Sequence, residues 1–500
     1  MNSYVKNYWS LYLDFLHDFE ELTYSGFSLS YLCHFPSLIR SNKELWNNLS
    51  DKNFTHQLKN QVNDQKEIQV AFNTFIQEHT NKSLIKNKHG KVVLNVDTIL
   101  RFPSKTLNNY FKPSKTMILM AGSKNKQKNV NKSTSSERIK KTRIITTSNT
   151  IKVKKKTPVI NETANQIPVN YLSNYATDTG NAVKQVQNRA RAIFNAYSKH
   201  HLYNDQKFQT AFLTKLSEII NRIDQSNRFL NDVPVSCIVL SSTHSFICRI
   251  LALTAAERGI PTICMQHGII ASEFGYIPKI ATIDAVYGNF EVDWYKKIGV
   301  PEDALEIIGH PRFDQAFKRS KISRAEFDKN LGLDPAKKTL MIAVRGDRGI
   351  GRWRMLIDTI SEKLDVNIVI KDFPSNNPHL LTEEYPFVHS TGEYGLYDII
   401  RNVDLVVSYP STVGLEAMLA EKNVFILHKE FPSYTGYYNE LGEMVQTDPR
   451  KLAELISSYF NDSAWNSSAK AMRNKFIHFA YPYSGVSCER LNKLINRLTS

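Results

Sequence analysis

The chain has 500 residues, 42% hydrophobic and 22% charged, and a formal net charge of +16. That length exceeds one ordinary core and predicts two or three domains, and the composition is that of a globular protein, excluding a fully disordered or fibrous chain. The positive balance asks for an anionic partner: nucleic acid, a phosphorylated substrate or a membrane surface.

Residues Ala121 to Pro158 hold 12 Lys or Arg and a single acid, Glu137, so that one segment carries +11 of the total. The basicity belongs to this segment rather than to the fold. The five cysteines, Cys33, Cys237, Cys248, Cys264 and Cys488, form no CxxC pair. Their spacing suits neither a zinc site nor a disulfide framework and fits a reducing cytoplasm. The opening MNSYVKNYWSLYLDFLHDFEE carries acids and polar residues through its apolar stretch, unlike a secretory signal. No run of 18 apolar residues occurs. The expected location is cytoplasmic, with peripheral attachment to the inner face of the membrane through the basic segment 121–158.

Taken along the chain, Tyr4, Tyr8, Leu11, Tyr12 and Phe15 recur at helical spacing and predict an amphipathic first helix. KVVLNVDTI (Lys91 to Ile99) and TMILMAG (Thr116 to Gly122) read as short buried strands. Gly122 to about Asn165 is polar and basic, a solvated insertion by composition, and RIITTSNTIKVKKK within it alternates as an exposed hairpin would. KFQTAFLTKLSEIINRI then places Phe208, Phe212, Leu213, Leu216 and Ile219 on one helical face.

From Ser236 the order becomes regular. SCIVLSS is a strand, SFICRILALTAAERG a helix stopped by glycine, IPTICMQHG a strand, IDAVYGN and LEIIGHP two more, with EVDWYKKIG as a helix between them. A second unit follows Asp334. KTLMIAV, VNIVIKD, DLVVSYP and NVFILH read as strands, and RWRMLIDTISEKL, YGLYDIIRNV and STVGLEAMLAEK as the intervening helices; further helices fill Pro449 to Ser500. Such alternation predicts an α/β protein of two doubly wound lobes in tandem, with a helical N-terminal extension and C-terminal helices. The expected divisions are 1–120, the start of the first lobe; 121–165, a basic insertion; 166–325, the rest of that lobe; and 326–500, the second lobe.

In open parallel sheets ligands sit outside the carboxyl ends of the strands. The residues there are Ser242-Thr243-His244, Gln266-His267-Gly268, Gly309-His310-Pro311-Arg312, Arg345-Gly346-Asp347-Arg348, Lys371-Asp372 and Ser408 to Thr412. RGDRGIGRWR (Arg345 to Arg354) brings three glycines and four arginines after a strand, without the GxxxxGK[ST] of a Walker loop. Glycines let backbone amides approach an anion, and arginines clamp phosphate. The bland alternative is a solvated basic turn. Ser411 and Thr412 stand at a helix start, an end that attracts phosphate, and Glu416 one turn on could accept both hydroxyls of a ribose; the same residues also make an ordinary capping box. His267 could be a general base, a diphosphate ligand or an acceptor anchor, or simply a core histidine. Gly268 would leave room for substrate beside the backbone.

MQHGII, IIGHPRFD and SYPSTVGLEAMLAEKNVFIL, in this order, resemble bacterial surface-polysaccharide transferases of the GT-B fold, including capsule and spore-coat polysaccharide biosynthesis proteins. The likeness extends to the CDP-glycerol glycerophosphotransferases of teichoic acid assembly and covers about Val233 to Leu427. The resemblance implies two Rossmann-like lobes, a nucleotide-activated donor on the second lobe and a polysaccharide or lipid-linked acceptor on the first. It implies His267 as the catalytic base or acceptor-side histidine, with Gln266, Gly268, His310, Arg312 and Asp314 about the cleft. It places Ser411, Thr412 and Glu416 at the donor diphosphate and ribose, joined there by Arg345, Arg348 and Lys371.

The glycerophosphotransferases usually read Trp-His-Gly-Thr-Pro where this chain has Gln-His-Gly-Ile-Ile. Their His-Pro after the second strand of the second lobe is here KDFP, with Lys371 in place of the imidazole. These departures favour a sugar donor. The expectation is therefore a metal-independent glycosyltransferase with no cofactor beyond its donor. The alternatives are a polyol-phosphate transferase, a non-hydrolysing sugar-nucleotide 2-epimerase, and a non-catalytic scaffold or nucleic-acid binder. The last is disfavoured because the basic segment lacks aromatics for base stacking.

Overall fold

A computed structural model describes residues 1–80, 82–96, 100–122, 166–372, 378–392 and 394–500. The basic segment 121–158, with its proposed hairpin and membrane contact, lies almost wholly outside these residues.

The first sheet has seven strands: β1 (Lys91–Asn95), β2 (Thr116–Met120), β3 (Val169–Tyr171), β4 (Val235–Leu240), β5 (Thr262–Met265), β6 (Ile283–Val286) and β7 (Leu305–Ile307). Their spatial order is β3-β2-β1-β4-β5-β6-β7, and every pairing is parallel. The second sheet has six: β8 (Lys338–Val344), β9 (Val366–Asp372), β10 (Val388–Ser390), β11 (Leu405–Ser408), β12 (Asn423–Leu427) and β13 (Val445–Gln446). Their order, β10-β9-β8-β11-β12-β13, repeats the same pattern and is again all parallel. The second sheet thus runs 3-2-1-4-5-6, the doubly wound order, and the first runs the same way with a seventh strand beyond the sixth. Each has one switch point, between β1 and β4 and between β8 and β11, where successive connections leave to opposite sides and open a crevice. The architecture is the α/β two-lobe layout expected from the sequence.

Parallel strands buried on both faces are apolar throughout, and β4 shows how the faces divide. Ile238 and Leu240 join a core with the aromatic first helix, α1 (Ser3–Asp18), and the long helix α2 (Gln206–Asp232). Cys237 and Val239 point the other way. Tyr8, Leu11, Tyr12 and Phe15 are buried, so α1 is a structural wall of the first lobe rather than an appendage.

The opposite face of the first sheet is closed from the far end of the chain. Cys488, Leu491, Leu494 and Ile495 of the last helix, α8 (Ser487–Thr499), pack with Cys237, Val239, Ile263 and Met265. The expected second lobe, 326–500, therefore ends before this helix, which crosses back to the first. The sequence shows its amphipathic spacing but not which lobe its apolar side meets. Short strands β3, β10 and β13 were not expected, because runs of two or three residues carry no measurable period. Among the described residues, no helix is long and apolar enough to cross a membrane.

Candidate active site between the lobes

The switch point of the second sheet lies above β8 and β11. Beyond Val344 the chain turns through Arg345 to Gly349, with Gly346 (φ +52°) and Gly349 (φ +67°) in the left-handed region, into helix α4 (Ile350–Lys363). The turn is braced from behind: Gly346 N–H donates to Asp372 Oδ1 at 2.8 Å, and its carbonyl lies 3.2 Å from His379 Nε2. Arg345 and Arg348 are left exposed, and neither has a carboxylate partner among the described residues. They line a cavity of about 660 Å³ together with Arg352, Trp353, Tyr409 and Phe431. Guanidinium groups beside aromatic walls suit a ligand with both an anionic and a flat apolar part. Arg352 is itself fixed, donating to the carbonyls of His428, at 2.9 Å, and Thr447.

Helix α5 (Thr412–Leu419) starts at the same switch point. Its N-cap Ser411 is extended (φ −151°, ψ 163°), but the hydroxyl makes no bond to the helix amides. That oxygen is buried without a hydrogen bond and faces the Tyr409 phenol. The capping-box alternative is thus not the arrangement adopted. Glu416 instead reaches out of the second lobe to Arg312, with Oε1 2.8 Å from Nη2. The pair is almost buried, with side-chain exposures of 4% and 15%. Arg312 Nε has no partner and is also buried.

On the first lobe, the loop after β5 is held by its own glutamine. Gln266 Nε2 donates to the Gly268 carbonyl and to Glu291 Oε1, both at 2.8 Å, while Gln266 Oε1 accepts from Tyr287 N–H at 3.0 Å. The amide is therefore a clamp for the loop. Burial raises the Glu291 carboxyl to about 8, against the pull of Gln266 and the Gly288 N–H. Within the clamped loop the His267 ring stacks on Tyr276, centroids 5.1 Å apart and 9° from parallel. Burial and then the Arg101 charge lower His267 to about 4, so it is neutral at pH 7.

Gly268 faces the other lobe: a Cβ there would lie 3.2 Å from Thr412 Oγ1. Thr412 Oγ1 in turn accepts Ile269 N–H at 3.4 Å. The missing side chain therefore lets the N-terminus of α5 approach the His267 loop.

The remaining expected residues have separate placements. His310 is buried, accepts Arg312 N–H on Nδ1 at 3.0 Å, and is held well below its usual range by burial, Arg312, Arg101 and His267. Asp314 accepts from Ser487 N–H (3.0 Å) and Oγ (2.7 Å), tying this loop to the start of α8. Lys371 Nζ lies 3.3 Å from the Tyr394 carbonyl. The structure thus brings His267, Gly268, His310, Arg312, Thr412 and Glu416 to one interlobe seam, and Arg345 and Arg348 to the adjoining cavity. Gln266, Asp314 and Lys371 are engaged by protein atoms beside it.

Arg101 was not anticipated. It follows β1, and its charge reaches His267, His310, Arg312 and Glu416. A lone arginine after a weakly patterned strand gives little signal in sequence. The aromatic walls were equally hidden, since Trp353 falls on the apolar face of its helix and Tyr409 ends a strand.

No protein-family model matches the chain, and no curated protein sequence matches it. Among solved structures it is similar to the wall teichoic acid polymerase TagF, with a TM-score of 0.43 and 12% identity over 93% of this chain and 97% of that one. It is also similar to Anabaena Alr3699/HepE in complex with UDP-glucose (0.45, 11%, 82% and 99%). A third similar structure is the UDP-GlcNAc 2-epimerase from Neisseria meningitidis bound to UDP-GlcNAc (0.44, 13%, 57% and 82%). These similarities are low, and the two-lobe assignment rests on the strand order and registers given above.

Proposed function

We propose that this chain is a glycosyltransferase that moves a sugar from a nucleotide-activated donor to a growing bacterial surface polysaccharide or its lipid-linked precursor. The observation that carries the reading is the cavity at the second switch point, where Arg345, Arg348 and Arg352 meet Tyr409, Trp353 and Phe431. A nucleoside diphosphate matches both halves of that lining, its phosphates on the guanidinium groups and its base on the rings. The N-terminus of α5, with Ser411 not spent on its own amides, supplies further donors toward the same anion.

In this reading the leaving diphosphate is stabilised by Arg345, Arg348 and the α5 amides, all placed before reaction. His267 accepts the proton of the acceptor hydroxyl through its neutral imidazole. An imidazole at about 4 is a weak base. Burial is the larger cause of that lowering and the Arg101 charge the smaller, so an anion beside Arg101 would restore only part of the basicity. Glu416, held by Arg312, is available to a ribose only by sharing or exchanging that partner.

The test is transfer with a panel of UDP-, GDP- and CMP-sugars and CDP-glycerol. His267→Ala is expected to abolish transfer while nucleotide binding survives, and full activity in that variant would remove His267 from the mechanism. Turnover of CDP-glycerol alone would shift the reading to polyol-phosphate transfer. Isomerisation of a nucleotide sugar without acceptor would shift it to 2-epimerisation.

A further inference from the structure

The loop after β12 sets a carboxylate, Glu430, in the wall of the second-lobe cavity. The loop is held at both ends. His428 N–H donates to the Gln446 carbonyl at 2.8 Å, and Arg352 donates to the His428 carbonyl at 2.9 Å. Further on it is tied to the first lobe: Ser433 Oγ lies 2.7 Å from Ser272 Oγ, and Thr435 N–H donates to the Ala271 carbonyl at 3.2 Å. Between these anchors Glu430 and Phe431 are exposed, and both line the cavity that holds Arg345, Arg348 and Arg352.

An acid is out of place in a pocket for an anion, because it repels phosphate and offsets the guanidinium groups. Yet the Glu430 carboxylate has no hydrogen bond or ion pair among the described residues. Its two oxygens accept only, and they are open to a ligand group that donates. The ribose of a nucleotide is such a group: two adjacent uncharged hydroxyls on the ring that joins base to phosphates. Glu430 and Phe431 are consecutive, with Cα atoms about 3.8 Å apart, so a base stacked on the Phe431 ring carries its ribose to the carboxylate. Glu416, to which the resemblance assigns the ribose, does not line this cavity. Its Oε1 is 2.8 Å from Arg312 Nη2, and only 4% of its side chain is exposed.

We propose that Glu430, and not Glu416, receives the ribose hydroxyls of the donor nucleotide and thereby selects ribonucleotides over 2′-deoxynucleotides. The proposal rests on the nucleoside diphosphate reading of this cavity. Hydrogen bonds from both hydroxyls to one carboxylate are charge-assisted and offset its repulsion of the phosphates. The two anchored ends of the loop hold the carboxylate in place before the ligand arrives, so binding requires little further ordering.

Titration calorimetry of the full chain compares UDP, GDP and CDP with their 2′-deoxy counterparts. The natural chain is expected to bind its tightest ribonucleotide about tenfold better than the deoxy form, the scale of one hydrogen bond to a charged group. Glu430→Ala, a change at an exposed position, should bring the two affinities together, whereas Glu416→Gln should keep them apart. No preference in the natural chain would overturn the proposal. So would a preference that survives Glu430→Ala while both forms bind more tightly, since the carboxylate would then only temper the arginines. Both of those results are read with a nucleotide bound and leave the transferase reading standing, whereas failure of every nucleotide to bind would overturn the two together.

Discussion

At the residue scale, the clearest commitment is the ion pair between Arg312 and Glu416. Removing one partner of a nearly buried pair leaves the other charge desolvated, a loss of about 3–5 kcal/mol. Arg312→Ala should lower the urea midpoint accordingly, whereas Glu416→Gln, which keeps an oxygen toward Arg312, should cost clearly less. Equal losses would mean that the charge is not what matters.

A second residue-scale expectation concerns pH. Burial, with neighbouring cations, lowers His34 to about 2, His244 to about 3 and His267 to about 4, from 6.5. The unfolded chain therefore gains protons as pH falls through 6.5 while the folded chain does not. The contribution of these three histidines is complete above 6.5 and is lost as pH drops toward 4, opposed in part by the raised Glu291 carboxyl. Melting temperature should fall between pH 7 and pH 5, and His267→Gln should make that fall shallower; an unchanged slope would contradict the buried, neutral assignment.

At the element scale, the last helix and one glycine show how the lobes are assembled. A Cβ at Gly288 would lie 2.3 Å from the Ala480 carbonyl oxygen at the end of the preceding helix. Gly288→Ala must push that backbone away, with an expected loss of roughly 1–3 kcal/mol in chemical denaturation. Truncation after Tyr483 removes Leu491, Leu494 and Ile495 from the first sheet, each worth roughly 2 kcal/mol when buried. It should yield a chain that binds a hydrophobic dye before the second lobe melts.

Most strands and helices were legible from Ser236 onward because long apolar runs alternate with 3.6-residue periods and glycine stops. The C-terminal crossing was not, since α8 pairs with residues some 250 positions earlier. The strand-end rule found His267, Arg345 and Thr412, which sit where topology puts ligands. It could not show that Gln266 spends its amide on Gly268 and Glu291, nor that Asp314 caps a distant helix. Such roles depend on partners far away in sequence. Arg101 escaped for the same reason.

At the scale of the whole molecule, two sheets that share the order 3-2-1-4-5-6, the first with one strand more, meet at a seam where Gly268 approaches Thr412. Gly268→Ala should hold the lobes slightly apart and lower turnover more than nucleotide affinity. In the proposed function the second switch point binds a nucleoside diphosphate. The direct test is the melting temperature of the full chain with UDP, GDP, CDP and CMP, compared between the natural chain and Arg345→Ala/Arg348→Ala, both exposed positions. Native-state binding at 100 times Kd stabilises by about 2.7 kcal/mol. One nucleotide should raise the melting temperature of the natural chain and lose most of that effect in the double variant. An equal rise in both, or no rise with any nucleotide, would contradict the account.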